Sequence, residues 1–412
     1  VGSAEMGEVL FLAHRVPFPP DRGDKIRSHH LLAGLAKLGP VHVGTFGETV
    51  QDMAQKPLLV EVARTHALIE RSKPLHLAGV EAVLKGRAVS LTAFDDDAMH
   101  RYVAKTLTNH RIDTIFVFSG QMGQYIPDSF DGRVVFDLCD VDSAKFAAYA
   151  EAGQRKWINR REGRLLAREE ERLAARADAT LLISDNEADL FRSRLTRPDA
   201  VSLHALGNGI DGQFFDPERV ASHPDLDEGE GPQIVFTGQM DYAPNIAAAE
   251  WMIAHVMPPL RKTHARARFH IVGRAPVRAL RDRHGEHGVR VWGEVEDVRP
   301  FLKSADLVVA PLLIARGVQN KVLEAMAMAR PVMATPGAAT GIDATHGEHL
   351  VISSPDPEQL LAAIDRLLAD PLHARAMGEA ARRFVIERMS WDLVETKLAE
   401  LVRGAEVPID AA

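Results

Sequence analysis

Residues 315–333 read ARGVQNKVLEAMAMARPVM, and the parsing of this stretch decides the fold. An apolar run, 306–311, leads into a glycine turn at Gly317. A helix follows with Val322, Leu323, Met326 and Ala327 on its inner face, and Pro331 opens another apolar run. The spacing predicts a strand, turn, helix, strand unit of a parallel α/β sheet. Such a turn delivers the free amides of a helix N-terminus to the carboxyl edge of the sheet, where anions are held by N–H groups and the helix dipole. Lys321 adds a full charge there. Glu324, one turn along the same face, can accept hydroxyl hydrogen bonds.

Phosphate-binding groups beside a hydroxyl acceptor suit a nucleotide sugar. Outward from this unit, the chain has 412 residues and 46% hydrophobic composition, enough for two cores and too long for one typical domain. A net charge of −8 argues against a nucleic-acid partner, which calls for a concentrated basic excess. One cysteine, Cys139, excludes an internal disulfide framework and fits a reducing compartment. No apolar run is long enough to span a bilayer and no secretory leader is legible. The expected location is therefore cytoplasmic, with contact at the inner membrane face left open. Met6 is the expected native start, so Val1–Glu5 carry no functional weight.

The second half repeats the strand and crossover pattern at 233–238, 267–273, 289–293, 306–311, 331–335 and 349–353, as in a doubly wound parallel sheet. The first half carries strand runs at 8–14, 41–46, 113–120, 133–140 and 178–184, while 51–91 gives no clear parse. Polar, turn-rich segments at 206–211 and 217–233 mark the boundary, giving domains at 6–207 and 208–388 and a terminal helix, 389–412, able to cross back to the first. Two such domains facing across a cleft would bind ligand between their strand ends.

Near the amino terminus, Gly23 opens a helix with Asp24 as its expected N-cap, while Lys25 and Arg27 fall in the first turn against the dipole. That placement means either a nearby anion or two solvated side chains. The FDDD run at 94–97 reads as the acidic first turn of a helix rather than a metal site. One long helix is expected from 142 to 177. Its basic segment 155–176 pairs internally with Glu162 and Glu169–Glu171 and reads as a solvated helix, with an anionic membrane as the alternative. His284 and His287 occupy a hydrophilic turn, and His29 and His30 read as one buried and one exposed helix position, so no metal site is expected. The absence of G-x-G-x-x-G after the first strand, of a P-loop and of G-x-S-x-G removes support from a dehydrogenase, an NTPase and an α/β-hydrolase.

In five segments the chain resembles retaining nucleotide-sugar glycosyltransferases of the GT-B fold, glycosyltransferase family 4. They are PFPPDRGDKIRS, NGID followed by Phe214 and Phe215, FTGQM, IVGRAP and RGVQNKVLEAMAMARPV. Their wording is most similar to sugar transferases of bacterial exopolysaccharide loci. The resemblance implies an α/β fold of two Rossmann-like domains and a hexosyltransferase-like enzyme without a cofactor or required metal. It implies a nucleoside diphosphate sugar donor and a saccharide or lipid-linked saccharide acceptor, with peripheral membrane association open. Glu324 takes the place of the glutamate that binds ribose hydroxyls. By the same resemblance Gly317 and Val318, with Asn320 beside them, would hold the diphosphate, Gly238 and Gly273 would give backbone approach, and Gly23 with Lys25 would close on the donor phosphate.

One departure concerns the family's earlier glutamate, which contacts the donor sugar; Arg316 stands at its position. No basic residue follows the FTG turn either, so Lys321, Arg274 and Arg316 are the expected charge-compensating groups. On the acceptor side His14, Asp140 and Asp142 follow strand ends and are placed to orient or deprotonate a hydroxyl. An epimerase or hydrolase of the same fold, and a non-catalytic nucleotide-sugar-binding subunit, are the competing readings.

Overall fold

The computed structural model describes residues 7–151, 153–313 and 318–404. They form two compact units: one runs to Gly207 and takes the chain back from Val394, and the other runs from Asn208 to Leu393.

The first unit is built on seven parallel strands, β1 (Glu8–Ala13), β2 (Val41–Gly47), β3 (Thr65–Glu70), β4 (Ile112–Phe118), β5 (Arg133–Cys139), β6 (Ala179–Leu182) and β7 (Leu203–Ala205), in the order β3-β2-β1-β4-β5-β6-β7. The second has six, β8 (Gln233–Thr237), β9 (Arg268–Val272), β10 (Val289–Gly293), β11 (Leu307–Ala310), β12 (Val332–Ala334) and β13 (Val351–Ile352), in the order β10-β9-β8-β11-β12-β13. Both are doubly wound, Rossmann-like sheets with helical crossovers. The central strands are near-continuous apolar runs because both faces are covered: Val9 to Ala13 and Ile234 to Phe236 have no exposed surface. Two strands escape sequence reading. THALIE in β3 is only partly buried along its length, as an outer strand allows, and β7 is three residues long.

Strand order reverses beside β1 in one sheet and beside β8 in the other. The carboxyl ends of β1 and β4, and of β8 and β11, are therefore the positions where an open α/β sheet takes its ligand.

Helix α1 (Gly23–Leu38) departs from the expected start. Its N-cap is Arg22, and Asp24 lies inside the first turn, accepting from Arg22 Nε at 2.8 Å and Arg15 Nη1 at 2.8 Å. Lys25 and Arg27 are neither solvated nor free for an anion. Lys25 Nζ donates to Asp52 Oδ1 at 2.6 Å and to the Phe18 carbonyl at 3.2 Å. Arg27, with no exposed surface, donates Nε and Nη2 to the two oxygens of Asp137 on β5 at 2.8 and 3.1 Å. Buried carboxylates outweigh the unfavourable dipole at both positions.

The stretch read as one long helix is two. After helix α2 (Leu75–Leu84), α3 (Asp142–Glu151) and α4 (Lys156–Arg176) form a hairpin whose reversal uses left-handed backbone at Gly153 (φ +79°) and Arg155 (φ +36°). The two pack closely: a Cβ added to Gly163 would stand 3.1 Å from the Ser143 carbonyl. The FDDD run does cap a helix, with Asp96 accepting from Ala98 N at 2.7 Å.

In the second unit, α5 (Asn320–Ala327) crosses from β11 to β12. It buries Val322, Leu323, Met326 and Ala327, the face predicted from spacing. The last helix, α6 (Trp391–Arg403), returns the chain to the first unit, where Arg133 Nε donates to the Leu401 carbonyl at 3.0 Å.

Candidate functional site

At the carboxyl end of β8 the backbone turns at Gly238 (φ +153°), and at the end of β9 it does so at Gly273 (φ +151°). Both angles favour glycine, and space reinforces the choice. A Cβ on Gly273 would lie 1.6 Å from the Gly238 carbonyl oxygen, and one on Gly238 would lie 2.8 Å from Asn245 Nδ2 and 3.2 Å from Lys321 Nζ. Bare backbone at these two strand ends thus brings the Lys321 ammonium, from the first turn of α5, onto the edge of the sheet.

Lys321 Nζ donates to Asn245 Oδ1 at 2.6 Å and stands 5.1 Å from the centre of the Phe236 ring. Asn245 is itself held by its donation to the Gln239 carbonyl at 2.9 Å, and Arg274 Nη2 reaches Gln239 Oε1 at 3.2 Å. One turn along α5 lies Glu324. Each side chain keeps some surface, yet protein encloses both on most sides. Burial pushes Lys321 down to about 8 against the pull of Glu324, and burial pushes Glu324 up to about 7 against the pull of Lys321. Among the described residues no donor satisfies the Glu324 carboxylate. The Asn320 amide oxygen and the Thr237 hydroxyl are also buried without partners. The amino end of α5 has no side-chain cap on Gln319, leaving first-turn amides for an external acceptor. A cation, free amides, orphaned polar atoms and a carboxylate needing donors together suit a ligand carrying both anionic oxygens and hydroxyls.

In the first unit, His14 follows β1. Its ring stacks on Phe118 with centroids 5.8 Å apart, and Nε2 lies 3.3 Å from Arg15 Nη1 and 3.6 Å from Asp24 Oδ2. The Nδ1 atom is buried without a partner. Burial opposes ionisation of Asp24, but His14, Arg22 and Arg15 hold its carboxyl far below the usual range. Asp142, the first residue of α3, is raised by burial and lies close enough to His14 for the imidazole to lower it in turn. Asp140 is exposed beyond Cys139, whose left-handed backbone (φ +66°) turns the chain off β5.

Residues 231–370 match the family model described as glycosyl transferases group 1. Most of the chain also aligns with solved structures. It covers 97% of its own length and 99% of sucrose-phosphate synthase from Thermosynechococcus elongatus, with a TM-score of 0.70 at 19% identity. For Anabaena HepE in complex with UDP-glucose the values are 97%, 100%, 0.67 and 17%. The fold is that of the GT-B glycosyltransferases. Sequence relatives extend the likeness. The GDP-mannose-dependent alpha-(1-6)-phosphatidylinositol monomannoside mannosyltransferase of Mycolicibacterium smegmatis is 28% identical over 247 residues, 53% of this chain. The match spans 63% of that relative's length. The MMP alpha-(1->4)-mannosyltransferase of Mycolicibacterium hassiacum is 33% identical over 112 residues, 27% of each chain.

Within the second GT-B domain, the structure brings together Lys321, Gly238 and Gly273, with Glu324 and Asn320 on the same helix turn and Arg274 linked through Gln239. Val318 precedes that helix, where its side chain faces Gly341. Arg316 and Gly317 lie outside the described residues. In the first GT-B domain, Gly23 begins α1 with open space around it, while the Lys25 ammonium is consumed by Asp52 and Phe18. Sequence reading missed Asn245 and Gln239. Asn245 lies 76 residues before Lys321, and only the crossover at β8 joins them. Among the described residues no helix is long and apolar enough to cross a membrane.

Proposed function

We propose that the chain is a retaining glycosyltransferase of family 4 that moves a sugar from a nucleoside diphosphate sugar to an acceptor hydroxyl in the assembly of an exopolysaccharide or other surface glycan. The observation that carries this reading is the Lys321–Glu324 pair beside the Gly238–Gly273 backbone contact at the switch point of the second sheet. Glu324 accepts the ribose hydroxyls. Lys321, Arg274 and the first-turn amides of α5 take up charge on the diphosphate as the anomeric bond breaks. Arg316, outside the described residues, is the further charge-compensating cation expected from the sequence. These fixed cations do the work a divalent metal would do elsewhere, so transfer is expected to persist in EDTA.

His14, Asp140 and Asp142, at or just beyond strand ends of the first sheet, orient or deprotonate the acceptor hydroxyl. Relatives named as GDP-mannose-dependent make GDP-mannose the first donor to test. Their phosphatidylinositol mannoside acceptor supports a lipid-linked saccharide, used at the cytoplasmic membrane face.

The test is transfer of label from GDP-[14C]mannose, with UDP-glucose as the comparison donor, to phosphatidylinositol monomannoside and to methyl α-mannoside. The account expects an acceptor-dependent product whose anomeric proton coupling shows retention. Free or epimerised sugar without acceptor would instead indicate a hydrolase or epimerase. Donor binding without turnover on any acceptor would indicate a binding subunit.

A further inference from the structure

Three strands of the first sheet bring ligand-type side chains to one point on its amino edge. Glu8 is the first residue of β1, His42 the second of β2, and His110 lies just ahead of β4. Because β1 pairs in parallel with both β2 and β4, the three starts adjoin, on the edge opposite His14. Glu8 Oε2 lies 2.8 Å from His42 Nε2 and 3.3 Å from His110 Nδ1, and the imidazole centroids are 4.3 Å apart. The three ligand atoms all fall within 4.8 Å of one another.

Two imidazoles and one carboxylate are a donor set for a divalent transition ion, zinc above all. Tetrahedral bonds of about 2.0–2.1 Å set neighbouring ligand atoms about 3.3 Å apart. The carboxylate and His110 already stand at that separation, and His42 would draw back by about 0.5 Å to match it. Solvent reaches the cluster from one side, since Glu8 and His110 keep 19 and 22% of their side-chain surface while His42 keeps none. A water can therefore take the fourth position.

The groups around these atoms orient them as outer-shell partners orient metal ligands. Thr65 Oγ1, at the start of β3, lies 2.8 Å from His42 Nδ1 and 3.0 Å from the Tyr102 hydroxyl, which donates to the Thr65 carbonyl at 3.1 Å. With His42 Nδ1 donating to Thr65 Oγ1, and that hydroxyl donating to the Tyr102 oxygen, every hydrogen in the chain has an acceptor. The lone pair of His42 Nε2 is then turned to a carboxylate oxygen, an arrangement that a cation completes. Arg64 holds the other oxygen, Glu8 Oε1, and leaves Oε2 to the histidines.

We propose that Glu8, His42 and His110 form a site for a zinc-class divalent ion that clips the amino ends of β1, β2 and β4 together. The role is structural. The six residues of β1 extend about 20 Å at about 3.3 Å each, so the ion stands a strand's length from His14 and the EDTA resistance expected of transfer is unchanged. Glu8 and His42 are 34 positions apart and His110 is further still, and a clip across long segments restricts the unfolded chain most. The histidines adjacent in sequence, His29 with His30 and His284 with His287, take no part. Neither the site nor its test depends on the transferase reading.

The full chain, made without a histidine tag and stripped with EDTA, is to be titrated with Co2+ followed by visible absorption and with Zn2+ followed by calorimetry. One ion per chain is expected, with the intense absorption of a tetrahedral cobalt centre that Zn2+ displaces. Zinc at a hundredfold excess over its dissociation constant is expected to raise the melting temperature by about 5 °C or more. Glu8→Gln and His110→Gln are each expected to weaken binding at least tenfold and to abolish the melting shift. Thr65→Val, which removes only the hydroxyl behind His42, is expected to weaken binding by about tenfold. A wild type that takes up no ion would show that the three side chains are held by shared protons alone, and the proposal would fall. Equal binding by Glu8→Gln and His110→Gln would overturn it too, by placing the ion elsewhere.

Discussion

Replacing Lys321 with alanine is expected to lower kcat by about two to three orders of magnitude, the usual loss when one preorganised donor to developing charge is removed. The ammonium sits where β8, β9 and α5 converge, and the glycine backbone at Gly238 allows its approach. It is fixed by Asn245, so in the proposed transfer it would need no reorganisation as a diphosphate leaves. Depressed to about 8, it is also the group expected to set the alkaline limit. Glu324, raised to about 7, is expected to set the acid limit, because in the proposed site protonation would remove the carboxylate charge that attracts ribose hydroxyls. The sign is therefore opposite for the two groups: kcat/KM falls as pH drops through about 7 and falls again as it rises through about 8. Lys321→Arg keeps its charge well above that range and is expected to move only the alkaline limb upward. A profile whose alkaline limb stays fixed in Lys321→Arg would assign that limb to another group.

Arg27→Ala and Asp137→Ala are each expected to destabilise the first unit by about 3–5 kcal/mol, since either leaves one buried charge without its partner. The bidentate pair joins α1 to β5 with both side chains fully buried, and Arg27 Nη1 also reaches the Gly207 carbonyl at 3.3 Å. In a unit of roughly 200 residues that loss corresponds to a melting shift on the order of 10 °C. Arg27→Met/Asp137→Leu removes both charges and is expected to recover most of the stability. Thermal unfolding followed by circular dichroism separates these cases. Single variants that melt like wild type would mean that water reaches the pair.

The contrast between these two features shows which parts of the molecule are legible in its sequence. Lys321 and Glu324 are neighbours in sequence and fall three apart on a helix whose apolar face is plain, so their shared position follows from helical spacing alone. The sheets are legible because strands covered on both faces must be apolar throughout, whereas partly buried β3 has no such pattern. Arg27 and Asp137 are 110 residues apart, and nothing local distinguishes a buried guanidinium from a solvated one. Lys25 with Asp52, and Lys321 with Asn245, are hidden for the same reason: their partners are assigned by topology. The inverted α2 falls in the segment 51–91 that gave no parse, because a helix that exposes its aliphatics violates the periodicity used to find helices.

The central claim, that Glu324 and its neighbours at the edge of the second sheet hold the nucleotide of a sugar donor, is tested most directly by calorimetric titration. GDP, GDP-mannose and UDP-glucose would be titrated into the wild type and into Glu324→Ala. The account predicts that one nucleotide binds the wild type and that the substitution weakens it by about tenfold or more, the loss of hydrogen bonds to a charged acceptor. Undiminished binding in Glu324→Ala would contradict it.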